Sequence, residues 1–166
     1  MPRGSWGHVV TDWSPDAQWF LTTCSTGAGE EDCKLYRVKR DGSEVRRIEG
    51  VEFGLFGRFS PDGQSVLYLG KGEKDQAALF VAEVAGGKPR QVSQELNGQF
   101  DILGYCWSPN GKRIAYVWDN SPKDRAEGQE TETFLMVVDA DGRNPATILS
   151  EKSTFGGFTV RAPNWR

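Results

Sequence analysis

The feature that most constrains this chain is a gapless internal repeat. Trp13-Ser14-Pro15-Asp16-Ala17-Gln18-Trp19-Phe20, Phe59-Ser60-Pro61-Asp62-Gly63-Gln64-Ser65-Val66 and Trp107-Ser108-Pro109-Asn110-Gly111-Lys112-Arg113-Ile114 align residue for residue. A second element follows each in the same order: Leu35–Val38 with Asp41-Gly42, Leu79–Ala82 with Gly86-Gly87, and Leu135–Val138 with Asp141-Gly142. Two motifs recurring together three times mark one supersecondary unit used three times.

The turn chemistry says what that unit is. In Ser60-Pro61-Asp62-Gly63, proline presets φ at the second turn position, Asp or Asn suits the third and Gly the fourth, the type I preference. Ala17 replaces that glycine in the first repeat, and a type I turn is expected to tolerate it. Asp41-Gly42 and Asp141-Gly142 are tight hairpin signals. Each repeat thus reads as an aromatic-ended strand, the Ser-Pro-Asp turn, a second strand, a variable loop, a third strand, a tight turn and a short fourth strand. The placements are His8–Trp13, Trp19–Cys24, Lys34–Lys39 and Val45–Ile48, then Gly54–Phe59, Ser65–Leu69, Ala78–Val84 and Arg90–Val92. The third set is Ile102–Trp107, Arg113–Trp118, Thr133–Asp139 and Thr147–Leu149. Four antiparallel strands at this spacing are the signature of a β-propeller blade.

The expectation is an all-β chain, residues 1–166 forming a single propeller segment. Blade 1 covers about 8–50, blade 2 about 51–94 and blade 3 about 99–150. Phe158–Trp165 repeats the first-strand pattern, so an extra strand is expected over about 155–165. Three blades are fewer than the roughly four to eight of closed rings. Three readings stay open: a piece of a longer propeller, a homodimer closing a six-bladed ring, or a short capped arc. Trp13, Phe59, Trp107 and Trp165 recur at equivalent positions and read as packing between blades.

The pattern Trp/Phe-Ser-Pro-Asp/Asn-Gly, with a later Asp-Gly hairpin, resembles the TolB-like propeller repeat, whose blades also occur in prolyl-oligopeptidase-type peptidases. The resemblance covers nearly the whole chain and implies radial blades that bind proteins or ligands at the channel mouth or on the end loops. The separate N-terminal domain and the signal sequence of TolB are not visible, so its partners are not carried over. No catalytic residue of the family maps onto this chain.

Composition narrows the function classes. A formal charge of −3 gives no field for nucleic acid or an anionic membrane. Arg37, Lys39, Arg40, Arg46 and Arg47 read as solvated strand and turn positions. Mean hydropathy is −0.55, and apolar runs such as Phe134–Val138 are far short of the roughly 20 residues of a membrane span. The Met1–His8 stretch has no apolar signal core, so the chain as given reads cytoplasmic. As part of a longer precursor it would read periplasmic or extracellular.

No residue is assigned a catalytic, cofactor-binding or metal-binding role. His8 has no nucleophile motif beside it. Asp12, Asp62, Asp101, Asp119 and Asp139 sit at strand ends or turns, where Asp bonds local backbone. Glu30, Glu31 and Asp32 lack calcium-loop spacing, and no cysteine pattern suits zinc. Cys24 and Cys33 flank a hairpin loop; two reduced thiols are the plainer reading, with a disulfide left open. Cys106 reads as core. The insertion Asp119–Glu132 reads as a solvated loop, or alternatively as an arm that contacts a partner. The functional expectation is a non-enzymatic scaffold for a protein or peptide. The alternatives are the gating propeller of a larger enzyme or, more weakly, a carbohydrate or small-ligand site.

Overall fold

A computed structural model describes residues 8–25, 32–73, 76–94, 102–120 and 129–153. Among these residues, twelve strands form three four-stranded antiparallel sheets. The first holds β1 (His8–Trp13), β2 (Trp19–Ser25), β3 (Cys33–Lys39) and β4 (Val45–Arg47). The second holds β5 (Leu55–Phe59), β6 (Ser65–Lys71), β7 (Ala77–Glu83) and β8 (Arg90–Gln91). The third holds β9 (Ile102–Trp107), β10 (Arg113–Asp119), β11 (Thr131–Asp139) and β12 (Ala146–Ser153). Spatial order follows chain order in every sheet, as in a propeller blade.

The strands fall within a residue or two of expectation, except at β12. Thr131 pairs with Ser153 and Glu132 with Lys152, so the last hairpin runs four residues past Leu149. Asp119 pairs with Thr133. The insertion is therefore shorter than Asp119–Glu132, because both of its ends are strand. Its residues 121–128, the extra strand over 155–165, Glu30, Glu31 and Asp101 lie outside the described residues, as does the side chain of His8.

The three Ser-Pro turns are built identically. The nitrogens of Ala17, Gly63 and Gly111 donate to the carbonyls of Ser14, Ser60 and Ser108 at 2.8–2.9 Å. Each serine hydroxyl donates to the acid or amide two residues on, at 2.6 Å to Asp16 and Asp62 and 2.8 Å to Asn110. Each also accepts the nitrogen opening the second strand, from Trp19, Ser65 or Arg113, at 2.9 Å. The buried hydroxyl thus closes the turn from both sides, which is why serine opens the motif. The fourth position is left-handed: φ is +71° at Gly63 and +68° at Gly111, but also +54° at Ala17. Ala17 is accommodated with strain, not tolerated freely as a plain type I turn would allow.

The chain divides into two compact units, Met1–Gly70 with Leu79–Arg90, and Lys71–Ala78 with Gln91–Arg166. In the first unit, blades 1 and 2 pack face to face. Leu21, Leu35 and Ile48 meet Val51, Phe59, Val66 and Tyr68 in one buried cluster. Gly57 allows this approach, since a Cβ there would lie 2.6 Å from Leu21 Cδ2. Two polar contacts staple the seam. Asp12 Oδ2 accepts the nitrogen of Phe59 at 2.9 Å, and Arg58 Nη1 donates to the carbonyl of Thr11 at 2.8 Å.

In the second unit, one face of the third sheet is buried. Trp107, Ile114 and Val138 form a row across it, with Tyr105, Tyr116 and Met136 as the next. Trp118 and Phe134 stack at 4.7 Å near its far end.

Candidate functional site

The site is assembled from strand register. Leu21 pairs with Arg37, and Arg37 pairs with Arg46. Both guanidiniums therefore share the face of Leu21, and of Trp19 two residues earlier. Arg37 lies 4.6 Å and Arg46 5.8 Å from the Trp19 ring centroid, both within cation–π range. Arg37 is half-buried, and its Nε is enclosed without a hydrogen-bond partner. Desolvation, reinforced by repulsion from Arg46, lowers its pKa below the ordinary guanidinium value, and Glu44 opposes the shift. A guanidinium stays cationic regardless. The solvated-surface reading of the basic run is thus corrected at Arg37, which the sheet stacks on an indole, whereas Arg46 stays exposed to solvent. Arg47 is also engaged, donating to the Val51 carbonyl at 2.9 Å.

Beside this stack, the Ser-Pro turns of blades 1 and 2 approach each other. A Cβ on Gly63 would lie 3.4 Å from Pro15 Cδ. Together they border a cleft of about 390 Å³ lined by Asp16, Trp19, Arg37, Phe59, Asp62 and Gln64, among others. That size falls within the range of small-ligand pockets. Asp16 and Asp62 each commit Oδ1 to a serine hydroxyl and a backbone nitrogen. Each Oδ2 has no hydrogen-bond partner among the described residues. The serine bonds, then the backbone bonds, hold both carboxyls below the ordinary 3.8, so both are anionic at neutral pH. The cleft therefore presents two carboxylate oxygens, one stacked guanidinium and an aromatic wall. Ser14 is hydrogen-bonded on both sides and has no base beside it, and the lining contains neither His nor Cys.

The other residues singled out in the sequence are dispersed. Asp62 bonds its own turn as expected. Asp12 does not only bond locally: one oxygen takes Trp13 N at 2.9 Å, while the other crosses to blade 2. Asp119 accepts from Thr133 Oγ1 at 3.3 Å, and Asp139 accepts from Asn144 Nδ2 at 2.7 Å. Asp32 pairs with Lys34 at 3.8 Å. No disulfide joins Cys24 and Cys33. Cys24 pairs with Lys34 and Cys33 with Ser25, and this one-residue offset puts the two thiols on opposite faces of the sheet. Among the described residues no three His, Cys, Asp or Glu side chains converge as a metal site would need. The cleft itself was not foreseen. Its one sequence signal is Trp19 at the start of the second strand, where the other repeats carry Ser65 and Arg113.

Comparison with known proteins places this architecture. The structure described as TolB from Agrobacterium tumefaciens superposes with a TM-score of 0.65 at 20% identity, covering 87% of this chain and 50% of that one. TolB from Acinetobacter baumannii gives 0.63 at 18%, covering 84% and 31%. The fold is that of the TolB-like β-propeller. The same TolB-like blades recur in the acylaminoacyl peptidase of Pyrococcus horikoshii, at a TM-score of 0.62 and 13% identity over 92% of this chain and 25% of that one. No family model matches the chain. Among curated sequences, an uncharacterized protein of Agrobacterium fabrum is 29% identical over 64% of this chain and 38% of its own length. Dipeptidyl-peptidase 5 of Porphyromonas gingivalis is 25% identical over 96% of this chain and 24% of its own length. The chain spans well under half the length of these curated relatives. Among the described residues no helix is long and apolar enough to cross a membrane.

Proposed function

We propose that this chain is a non-enzymatic β-propeller scaffold that binds a protein or peptide. The observation that carries the reading is the cleft between the first two Ser-Pro turns. Two carboxylate Oδ2 atoms and an indole-stacked guanidinium line it, a mixed-charge set suited to a peptide that carries a basic side chain. The test is selection of a random-peptide library on the folded chain. Enriched peptides should carry Lys or Arg. Their affinity should fall at least tenfold in the Asp16→Asn, Asp62→Asn double variant and also in Arg37→Ala. No enrichment, or binding indifferent to both variants, would overturn the reading.

A second reading has its own support. The match to dipeptidyl-peptidase 5 spans 96% of the chain, so the blades also suit the propeller portion of a larger peptidase. A continuous reading frame leading into a Gly-x-Ser-x-Gly elbow would favour that role. A frame holding only further Ser-Pro-Asp-Gly repeats would favour the scaffold.

A further inference from the structure

Half-buried arginines in this fold are given an oxygen to bond, with one exception. Among the described residues they are Arg37, Arg47 and Arg58. Arg47 donates to the Val51 carbonyl and pairs with Glu52, and Arg58 donates to the Thr11 carbonyl. Arg37 makes no hydrogen bond or ion pair to any described residue, and its Nε is enclosed. Glu44, in the same sheet, is itself paired with Arg46. The Trp19 ring answers part of the charge, but it offers no oxygen to the guanidinium N–H donors. A cation so placed lacks the anion that partial burial calls for.

The cleft therefore holds charges of both signs that do not cancel one another. Asp16 and Asp62 line it together with Arg37. Neither carboxylate pairs with that guanidinium, and each commits Oδ1 to its own turn. A ligand that answers both signs must itself be dipolar, with an anion and a cation held apart by a short chain. The aromatic wall of Trp19 and Phe59 suits an apolar stem between them. At about 390 Å³ the cleft is near the lower end of ligand pockets, a size that suits the end of a chain.

Resting on the reading of this cleft as a peptide site, we infer that it takes the C-terminal residue of a peptide, a Lys or Arg. The α-carboxylate accepts from Arg37 as a charge-assisted pair. The basic side chain reaches the Oδ2 atoms of Asp16 and Asp62. A Lys or Arg inside a chain offers the second contact without the first.

The test is calorimetric titration of the 166-residue chain with acetyl-Gly-Gly-Lys as the free acid and as the C-terminal amide. The acid should bind roughly tenfold or more tighter than the amide. The sign of that preference is diagnostic. The formal charge is −3, and the cleft sets two carboxylates against one guanidinium. Unspecific attraction would therefore favour the amide, which is one positive charge richer. Arg37→Gln should erase the preference for the acid. The Asp16→Asn, Asp62→Asn double variant should weaken both forms and keep it. Arg143→Gln, on the exposed hairpin of blade 3, should change nothing. Equal binding of acid and amide, or a tighter amide, would overturn the inference and leave the cleft reading standing; this comparison uses the unaltered chain, so it holds even if a variant fails to fold. An acid preference that survives Arg37→Gln would overturn it too. So would failure of both lysine peptides where the random library still enriches basic ones, whereas an unenriched library would remove the cleft reading and the inference together.

Discussion

Ala17 holds φ at +54°, where its methyl group crowds the backbone. The two sister turns place glycine at this position, so Ala17→Gly should stabilise the protein. The strain relieved is about 1–2 kcal/mol, offset by about 0.5–1 kcal/mol of extra glycine entropy in the unfolded chain. The expected gain is a few tenths to about 1 kcal/mol, read as a higher urea midpoint. Ser60→Ala should cost more. It removes both the donor to Asp62 and the acceptor for Ser65 N in a buried site, so a loss of about 1–3 kcal/mol is expected. The carboxyls of these turns also set a pH dependence. Asp16 and Asp62 have folded pKa values below 3.8. Their stabilising contribution is complete above that value and is lost as pH falls through the lower folded values. Asp62→Asn should therefore lower stability at neutrality and flatten its dependence on pH below about 4, measurable by denaturant titration at several pH values.

At the scale of the element, the seam between blades 1 and 2 has no room to spare. Gly57→Val would drive side-chain carbon into Leu21, and a loss of about 1–3 kcal/mol is expected. Asp12→Ala leaves Phe59 N without its acceptor at a half-buried position, at a cost of about 1–3 kcal/mol. The strands themselves were legible, because the Ser-Pro-Asp-Gly and Asp-Gly turns fix where they begin and end. β12 was not, since its length follows from pairing with β11 beyond Leu149, and nothing local in Ser150–Ser153 announces a partner. The role of Asp12 was also hidden. The repeat gives no template for it, because Arg58 and Cys106 stand at the equivalent positions. The cleft was missed for a related reason. Arg37 and Trp19 are 18 residues apart in sequence and meet only through cross-strand register, which a single sequence does not display.

For the molecule as a whole, alkaline stability offers a further check. Burial raises the phenols of Tyr68 and Tyr116 above the ordinary 10, one in each compact unit. A folded value above the unfolded one means stability is intact below pH 10 and declines as pH rises beyond it. Spectrophotometric titration should find these two phenols ionising only with unfolding, while Tyr68→Phe shifts alkaline denaturation to higher pH. The one-residue offset between Cys24 and Cys33 reaches further than the missing bond. Oxidant cannot weld this hairpin shut, and reductant has no weld there to undo. The first blade must therefore draw its cohesion from noncovalent contacts, and that cohesion would be the same under either redox regime.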